Sequence, residues 1–326
     1  MNCWVHFKIP ITFSTTLLFN QAVFNRAMKS AHTRLGVSMR TVINQLNTIC
    51  EEQPYITAWY FKNLITGEVA HRFGHIPFVA GSTRKTSILM AVLREVHRGH
   101  LDLNEPIRYE ERLREGVMSG TFKYLTPGFS ISLRDALVQM IIVSDNVCTR
   151  MVLERISLAR INDFCQSLDM GNTSHRNTIP RPDLAIDHKL EEVTTTSAFD
   201  QGLLYDLILQ GSVNPATATL LGCSSEQCAF ALDVLSWQKL RTKMASLLPA
   251  DTKIAHKGGT GKRGRMDGGI VFRDGAPLFI FTGYTDQVPL VMPDGLPGYA
   301  SAFSTLGRLA RTCWDSIPAT GALTHG

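Results

Sequence analysis

Several signals are missing from this chain, and each absence removes a class of protein. There is no Cys-x-x-Cys pair, and no Cys/His cluster has zinc-ligand spacing. No uninterrupted apolar run approaches the roughly 18–20 residues of a membrane span. No dense Lys/Arg block occurs. With 33 Lys plus Arg against 28 Asp plus Glu, the net charge of +5 leaves no nucleic-acid footprint. There is no internal repeat and no low-complexity linker. With 19% charged and 44% apolar residues, the composition excludes a disordered chain, a collagen-like repeat and a coiled coil. An ordinary globular protein with a sizeable core remains. Its 326 residues suit two average domains or one large one.

The seven cysteines (Cys3, Cys50, Cys148, Cys165, Cys223, Cys228 and Cys313) are odd in number and irregularly spaced. They read as reduced, mostly buried thiols, although Cys223 and Cys228 are near enough in sequence to bridge in an oxidising compartment. Residues 9–24 are fairly apolar and follow Lys8. They also carry Thr12, Ser14, Thr15, Thr16, Asn20 and Gln21, and no small-x-small cleavage site follows. Residues 1–36 are therefore read as an extension, a signal or an arm, and the cytoplasm is favoured over secretion.

Helical spacing of Val37, Val42, Ile43, Leu46, Ile49 and Cys50 predicts a helix over 37–53. Residues 55–61 are β-branched and aromatic and read as a strand. A turn at Asn63, Thr66 and Gly67 leads to its hairpin partner over 69–73. Helices are expected over 83–97, 133–143 (capped by Ser130 or Ser132) and 146–155. Further helices are expected from the cap at Thr194 to Thr196 through Leu209, over 232–247 and over 302–314. Residues 99–128 and 172–193 read as loops, and long loops inside compact domains tend to be functional. Residues 270–272 and 278–282 flank Asp274-Gly275 as a second hairpin. Strand pairs near both ends of the chain imply one antiparallel sheet with a helical insertion, an α/β (α+β) fold.

Three constellations can carry chemistry. Ser82-Thr83-Arg84-Lys85 opens a helix, which places Ser82 and Lys85 on one face with Cβ atoms about 5–6 Å apart. A serine there feels the positive end of the helix dipole. A lysine beside it accepts a proton only if burial or a positive neighbour lowers its pKa. Ser144-Asp145-Asn146 stands at a helix–helix junction. It offers a second hydroxyl for proton relay, an amide for hydrogen bonding, or simply a helix cap. His256-Lys257-Gly258-Gly259-Thr260-Gly261 precedes a strand, where glycines let a substrate backbone approach and Lys257 adds positive charge. A phosphate loop is a poor fit, because the Gly-x-x-x-x-Gly-Lys-Ser/Thr spacing is absent.

Ser-x-x-Lys, then Ser-Asp-Asn, then Lys-x-Gly before a strand resembles the serine β-lactamase and penicillin-binding protein superfamily. The closest likeness is to the class A branch, over about residues 37–315. Phe78-Val79-Ala80-Gly81 before Ser82, the apolar run over 137–143, and Thr194-Thr195-Thr196-Ser197 after the long loop support it. The resemblance implies a β-lactamase/transpeptidase-like fold: a sheet built from N- and C-terminal segments, flanked by helices, with an all-helical lobe inserted. It makes Ser82 the acylated nucleophile, Lys85 its activator, Ser144 the proton relay to the leaving group and Lys257 the electrostatic support of Ser144. Asn146, Gly259, Thr260 and Arg265 would bind substrate. The N–H groups of Ser82 and Thr260 would form the oxyanion hole. No metal or organic cofactor is implied. The expected partner is a small-molecule or peptide substrate and the expected state a monomer, with residues 316–326 as a tail.

Two departures from the family matter. Its class A members carry Glu-x-x-Leu-Asn in the long loop, and that glutamate activates the deacylating water. Here Pro180-Arg181-Pro182-Asp183-Leu184-Ala185 puts Arg181 at the glutamate position and Ala185 at the asparagine position. Asp183, Glu191 or Glu192 would have to substitute as base. The second departure is Gly258, where the family usually has a Thr or Ser hydroxyl that helps bind a substrate carboxylate. Thr260, Arg263 or Arg265 would have to compensate. The expected activity is acyl-enzyme chemistry on an amide, ester or lactam, with transacylation favoured by the missing base. Ordinary β-lactam hydrolysis is the alternative, and a non-catalytic β-lactam- or peptidoglycan-binding module a second one. The basic cluster of Lys257, Lys262, Arg263 and Arg265 suits an anionic small substrate.

Overall fold

The computed structural model describes residues 37–181 and 183–319. The expectations for residues 1–36, Cys3, Pro182 and the end of the tail lie outside it. The first helix, α1 (Met39–Glu51), starts where the Ser38 hydroxyl accepts from the Thr41 N–H. Its buried residues Val42, Leu46, Ile49 and Cys50 form the stripe expected from their spacing. Strands β1 (Ile56–Asn63) and β2 (Val69–Arg72) follow as an antiparallel hairpin. The short strand β3 (Phe78–Val79) leads into a single 3-10 turn over Gly81–Arg84, which runs directly into α2 (Lys85–His97).

The helical region then contains the small ribbon β4 (Pro106–Arg108) and β5 (Ser130–Ser132), followed by α3 (Leu133–Ile142), α4 (Asn146–Leu153) and α5 (Leu158–Gln166). Strand β6 (Thr195–Thr196) precedes α6 (Ala198–Gly211), α7 (Pro215–Leu220) and α8 (Ser225–Ser236). Strands β7 (Ile254–His256), β8 (Gly259–Thr260), β9 (Arg265–Arg273) and β10 (Ala276–Asp286) complete the sheet, and α9 (Gly298–Ser316) ends the described chain.

The main sheet has the order β2-β1-β10-β9-β7, with β8 also paired to β9. Strand β1, near the start, therefore lies beside β10, near the end, with Ile56 opposite Asp286 and Asn63 opposite Phe279. The sheet is buried on both faces, and the period-2 geometry of β1 divides its side chains between them. Ala58 and Tyr60 join one core with α2, α3, α4 and α6. Trp59 and Phe61 join another with α1 and α9. Burying each such large apolar side chain contributes roughly 1.5–3 kcal/mol. Both faces must be covered, which is why the β1 sequence reads as a continuous apolar run.

The structure corrects several expectations. Thr195 and Thr196 are strand residues paired with Val79 and Phe78; the cap of α6 is the Ser197 hydroxyl, which accepts from the Asp200 N–H. The helix expected over 232–247 occupies Ser225–Ser236 instead, with a capping box between Ser224 and Gln227. Residues 237–250 are irregular, held where the Gln238 amide donates to the Ile141 carbonyl. Two short helices, α5 and α7, were not foreseen. The expected terminal helix is longer at both ends and passes residue 315. Cys223 and Cys228 are both unpaired, as are the other described cysteines, and all six are buried. Among the described residues no helix is long and apolar enough to cross a membrane, and no group of three or more His, Cys, Asp or Glu could hold a metal.

Candidate active site

The 3-10 turn that carries Ser82 depends on Gly81. This residue has φ +51°, and a side chain on it would press within 2.7 Å of Met266 Sδ and 3.1 Å of the Thr260 N. Gly259 meets the turn from the other side: a Cβ there would stand 2.8 Å from the Ser82 N. These two glycines let β8 lie against the serine turn. The backbone of Thr260 and that of Ser82 thus become neighbours, as an oxyanion hole requires.

Lys85 begins α2 one turn after Ser82 and is buried. Its Nζ donates to the Ser144 carbonyl (2.9 Å), Ser144 Oγ (3.2 Å) and Asn146 Oδ1 (2.7 Å). Burial is the main cause that drives its pKa well below the ordinary lysine value, and the charges of Lys257 and Arg84 add to it. Ser144 adopts φ +59°, a left-handed conformation that costs a non-glycine residue about 1–2 kcal/mol. The hydrogen bonds to its carbonyl and hydroxyl hold it there. Asp145 caps α4 through Oδ1, which accepts from the Val147 and Cys148 N–H groups; its Oδ2 accepts from the Phe122 N–H.

Lys257 reaches the same serine from the sheet. Its Nζ donates to Ser144 Oγ (3.1 Å) and to the Gly258 carbonyl (2.7 Å). Burial, then the charge of Lys243, lower its pKa to about 7, while Asp267 acts in the opposite sense. Ser144 Oγ therefore sits between two buried amines, each less basic than an exposed lysine.

The expected binding residues are less uniform. Asn146 is buried and holds Lys85. Gly259 and Thr260 form β8. Arg265 donates to the Gly261 and Gly264 carbonyls and packs near Tyr299. Arg263 is bonded to Asp286 through both carboxylate oxygens and to the His188 carbonyl, so it belongs to the scaffold. Asp183 is exposed and held by Arg181 (2.8 and 3.2 Å), which keeps its carboxyl below the usual range and makes it a weak base. Glu192 stands 3.9 Å from Arg181.

A cavity of about 720 Å³ adjoins the serine turn, between the long loop and β8. Gly81, Thr260 and Gly261 line one side, and Asn177, Ile179, Arg181, Leu184 and Val193 the other. Among the described residues no acidic side chain lines it, and Ser82, Lys85, Ser144 and Lys257 stand outside its lining. Arg84 also lines it and was not foreseen. This guanidinium is buried and donates to the carbonyls of Asn177 and Thr178 and toward Thr194 Oγ1, which straps the long loop to the serine turn. Its neighbour spacing in Ser-x-x-Lys was visible in sequence, but no periodicity marked it. His256 and Asp267 form a second unforeseen pair, fully buried, with Nδ1 to Oδ1 at 3.0 Å.

A split antiparallel sheet, a helical region and a serine turn meeting a glycine strand edge define the architecture shared by β-lactamases and penicillin-binding proteins. The chain belongs to the beta-lactamase enzyme family, whose model matches residues 41–317. Among curated proteins it is similar to the extended-spectrum beta-lactamase PER-1 of Pseudomonas aeruginosa. The identity is 25% over 232 residues, covering 62% of this chain and 66% of that relative, slightly under two thirds. Among solved structures it resembles a beta-lactamase from Sphaerobacter thermophilus, with TM-score 0.73 and 19% identity, covering 87% of this chain and 100% of the other. It also resembles PBP-A, with TM-score 0.72 and 23% identity, covering 85% and 96%. A PBP-A mutant in an acyl-enzyme complex with penicillin G aligns with TM-score 0.71 and 24% identity, covering 85% of this chain and 96% of that one.

Proposed function

We propose that this chain is a serine acyl-enzyme catalyst acting on an amide, ester or lactam of a small molecule or peptide. In this reading the neutral Lys85 amine takes the Ser82 proton as Oγ attacks the carbonyl. The N–H groups of Ser82 and Thr260 receive the developing oxyanion. Ser144 then passes a proton to the leaving group, oriented by Lys257, and the acyl group remains on Ser82.

Release of the acyl group is where the chain departs from the class A pattern that its motifs resemble. A hydrolytic step needs a positioned base for water. The observation that carries the proposal is the engagement of Arg181 with Asp183 beside a cavity lined by no acid. This supports a long-lived acyl-enzyme that is passed to an amine or alcohol rather than rapidly to water. Hydrolysis of β-lactams is the second reading, favoured by the likeness to a curated extended-spectrum beta-lactamase.

Intact-mass spectrometry with benzylpenicillin and with a fluorophosphonate tests the proposal. One adduct per chain is expected, lost in Ser82→Ala, and its decay should accelerate when hydroxylamine or a small alcohol is added. Rapid turnover without acceptors would move the assignment to plain hydrolysis. Absence of any adduct would leave only a binding module.

A further inference from the structure

Near the end of the long loop, His188 turns back on its own backbone. Its Nδ1 bonds to the Ala185 carbonyl at 2.7 Å. A carbonyl only accepts, so Nδ1 carries a proton, and in the neutral ring Nε2 presents a bare lone pair. The residue is only 6% exposed, and Nε2 is buried with no hydrogen-bond partner among the described residues. A buried acceptor without a donor is costly, so this arrangement is incomplete until a donor reaches it.

The sheet sets the position of the ring. Arg263 Nη1 donates to the His188 carbonyl at 2.6 Å, and Lys262 Nζ donates to the Leu184 carbonyl. Both cations belong to the turn that follows Thr260, so residues 184–188 are tied to the strand edge that carries it. His188 lines the same cavity as Gly81 and Thr260, the neighbours of the reacting serine. Arg181 stands where the class A pattern has its glutamate, and His188 brings an unused lone pair to the same loop.

The cavity also selects what such a base can serve. Its walls include Ile179, Leu184, Ile186, Val193 and Leu290, which favour an apolar molecule over water. Four cations, Arg84, Arg181, Lys262 and Arg265, line it as well. An alkylamine is an ammonium near neutral pH and is repelled by them, whereas an alcohol is neutral.

We propose that His188 is the general base that delivers an apolar alcohol to the acyl group on Ser82. Nε2 takes the hydroxyl proton as the alcohol oxygen bonds to the acyl carbon. The bond from that carbon to Ser82 Oγ then breaks, and Oγ recovers the proton from the imidazolium. An ester leaves, with the serine and the imidazole restored. The inference rests on the reading of Ser82 as the acylated residue, and it narrows the acceptor to an alcohol.

Chains loaded with benzylpenicillin are mixed with benzyl alcohol or benzylamine. Intact mass follows loss of the adduct, and small-molecule mass follows the ester or amide formed. Benzyl alcohol is expected to speed the loss more than benzylamine. In His188→Asn the amide nitrogen can still donate to the Ala185 carbonyl, but Nε2 is gone. The alcohol-dependent rate should fall at least about a hundredfold, the lower end of general-base catalysis. Imidazole added to His188→Gly should recover part of it, which a purely structural role for the ring would not allow. An undiminished alcohol-dependent rate in His188→Asn, no recovery with imidazole in His188→Gly, or faster transfer to benzylamine would overturn the proposal. Failure of the Ser82 reading is seen separately, as a missing adduct on the native chain.

Discussion

At the scale of single residues, the site is a problem of how to bury amines. Lys85 and Lys257 are both fully enclosed, and each is less basic than a lysine in water. For Lys85 this is useful, since only a neutral amine accepts a proton. It also links stability to pH. Lys257 titrates near about 7 in the folded chain and at 10.5 when unfolded. Between those values the unfolded chain binds more protons, so stability rises with pH. Below about 7 both states are protonated and the folded chain bears the full penalty of the buried cation. Cys50 and Cys165 oppose this above pH 9, because burial pushes their thiols from 9.0 up to about 12. The window free of the thiols is therefore pH 7–9, where Lys85, depressed in the same sense, adds to the slope. Urea unfolding across it should show stability increasing for the native chain. Lys257→Met should flatten that slope by up to about 1.4 kcal/mol per pH unit, the limit for one proton. An unchanged slope would mean that Lys257 stays protonated when folded.

At the scale of elements, the long loop over 172–193 has little regular structure and is strapped to the serine turn by Arg84. Removing the guanidinium leaves the carbonyls of Asn177 and Thr178 without donors. Arg84→Met should destabilise the chain by about 1–3 kcal/mol, the range for buried groups left unpaired. It should also expose the loop to protease: native-state proteolysis followed by mass spectrometry is expected to show faster cuts between 177 and 192. The same substitution removes a positive neighbour of Lys85, so acylation near neutral pH should slow as the amine regains basicity. Unaltered cleavage of the loop would show that Arg84 does not hold it. This strap was hidden in the sequence, since its partners are backbone carbonyls, which carry no side-chain signature. By contrast α1 and α9 were legible because one face of each is packed and the other wet. The segment after α8 misled for a related reason. Trp237, Leu240, Leu247 and Leu248 recur at near-helical spacing, yet tertiary contacts such as Gln238 to Ile141 hold the backbone irregular. The approach of Lys243 to Gly258 is a tertiary fact that no local pattern encodes. For α7, Asn214 capping before Pro215 was a readable start signal that periodicity alone passed over.

At the scale of the whole molecule, the site exists only where early and late strands of the described chain pair. Ser82 follows the first hairpin, Lys257 precedes the last one, and Ser144 comes from the helices between them. The pairing of β1 with β10 joins the two terminal parts into one sheet, so the site cannot be divided between independently folding halves. This also bears on where the catalytic unit begins and ends. Residues Ser38–Ile317 form one compact unit, and the family model matches nearly the same span, 41–317. We propose that this span is the complete catalytic domain. A chain trimmed to residues 37–319 retains α1, whose buried stripe covers the sheet face under Trp59 and Phe61, and all of α9. It should fold cooperatively, with a Tm within about 2–4 °C of the full chain, equivalent to about 1 kcal/mol at this size. It should also take the Ser82 adduct at the same rate. Trimming further, to begin at residue 56, removes α1 and uncovers that core face. The loss of Val42 and Leu46 alone forfeits roughly 3–6 kcal/mol of burial, a large share of a typical domain's net stability. That shorter chain is expected to be insoluble or to unfold without a cooperative transition. Differential scanning calorimetry on the two trimmed chains decides the matter: a cooperative, full-stability transition in the chain lacking α1 would place the boundary of the domain elsewhere.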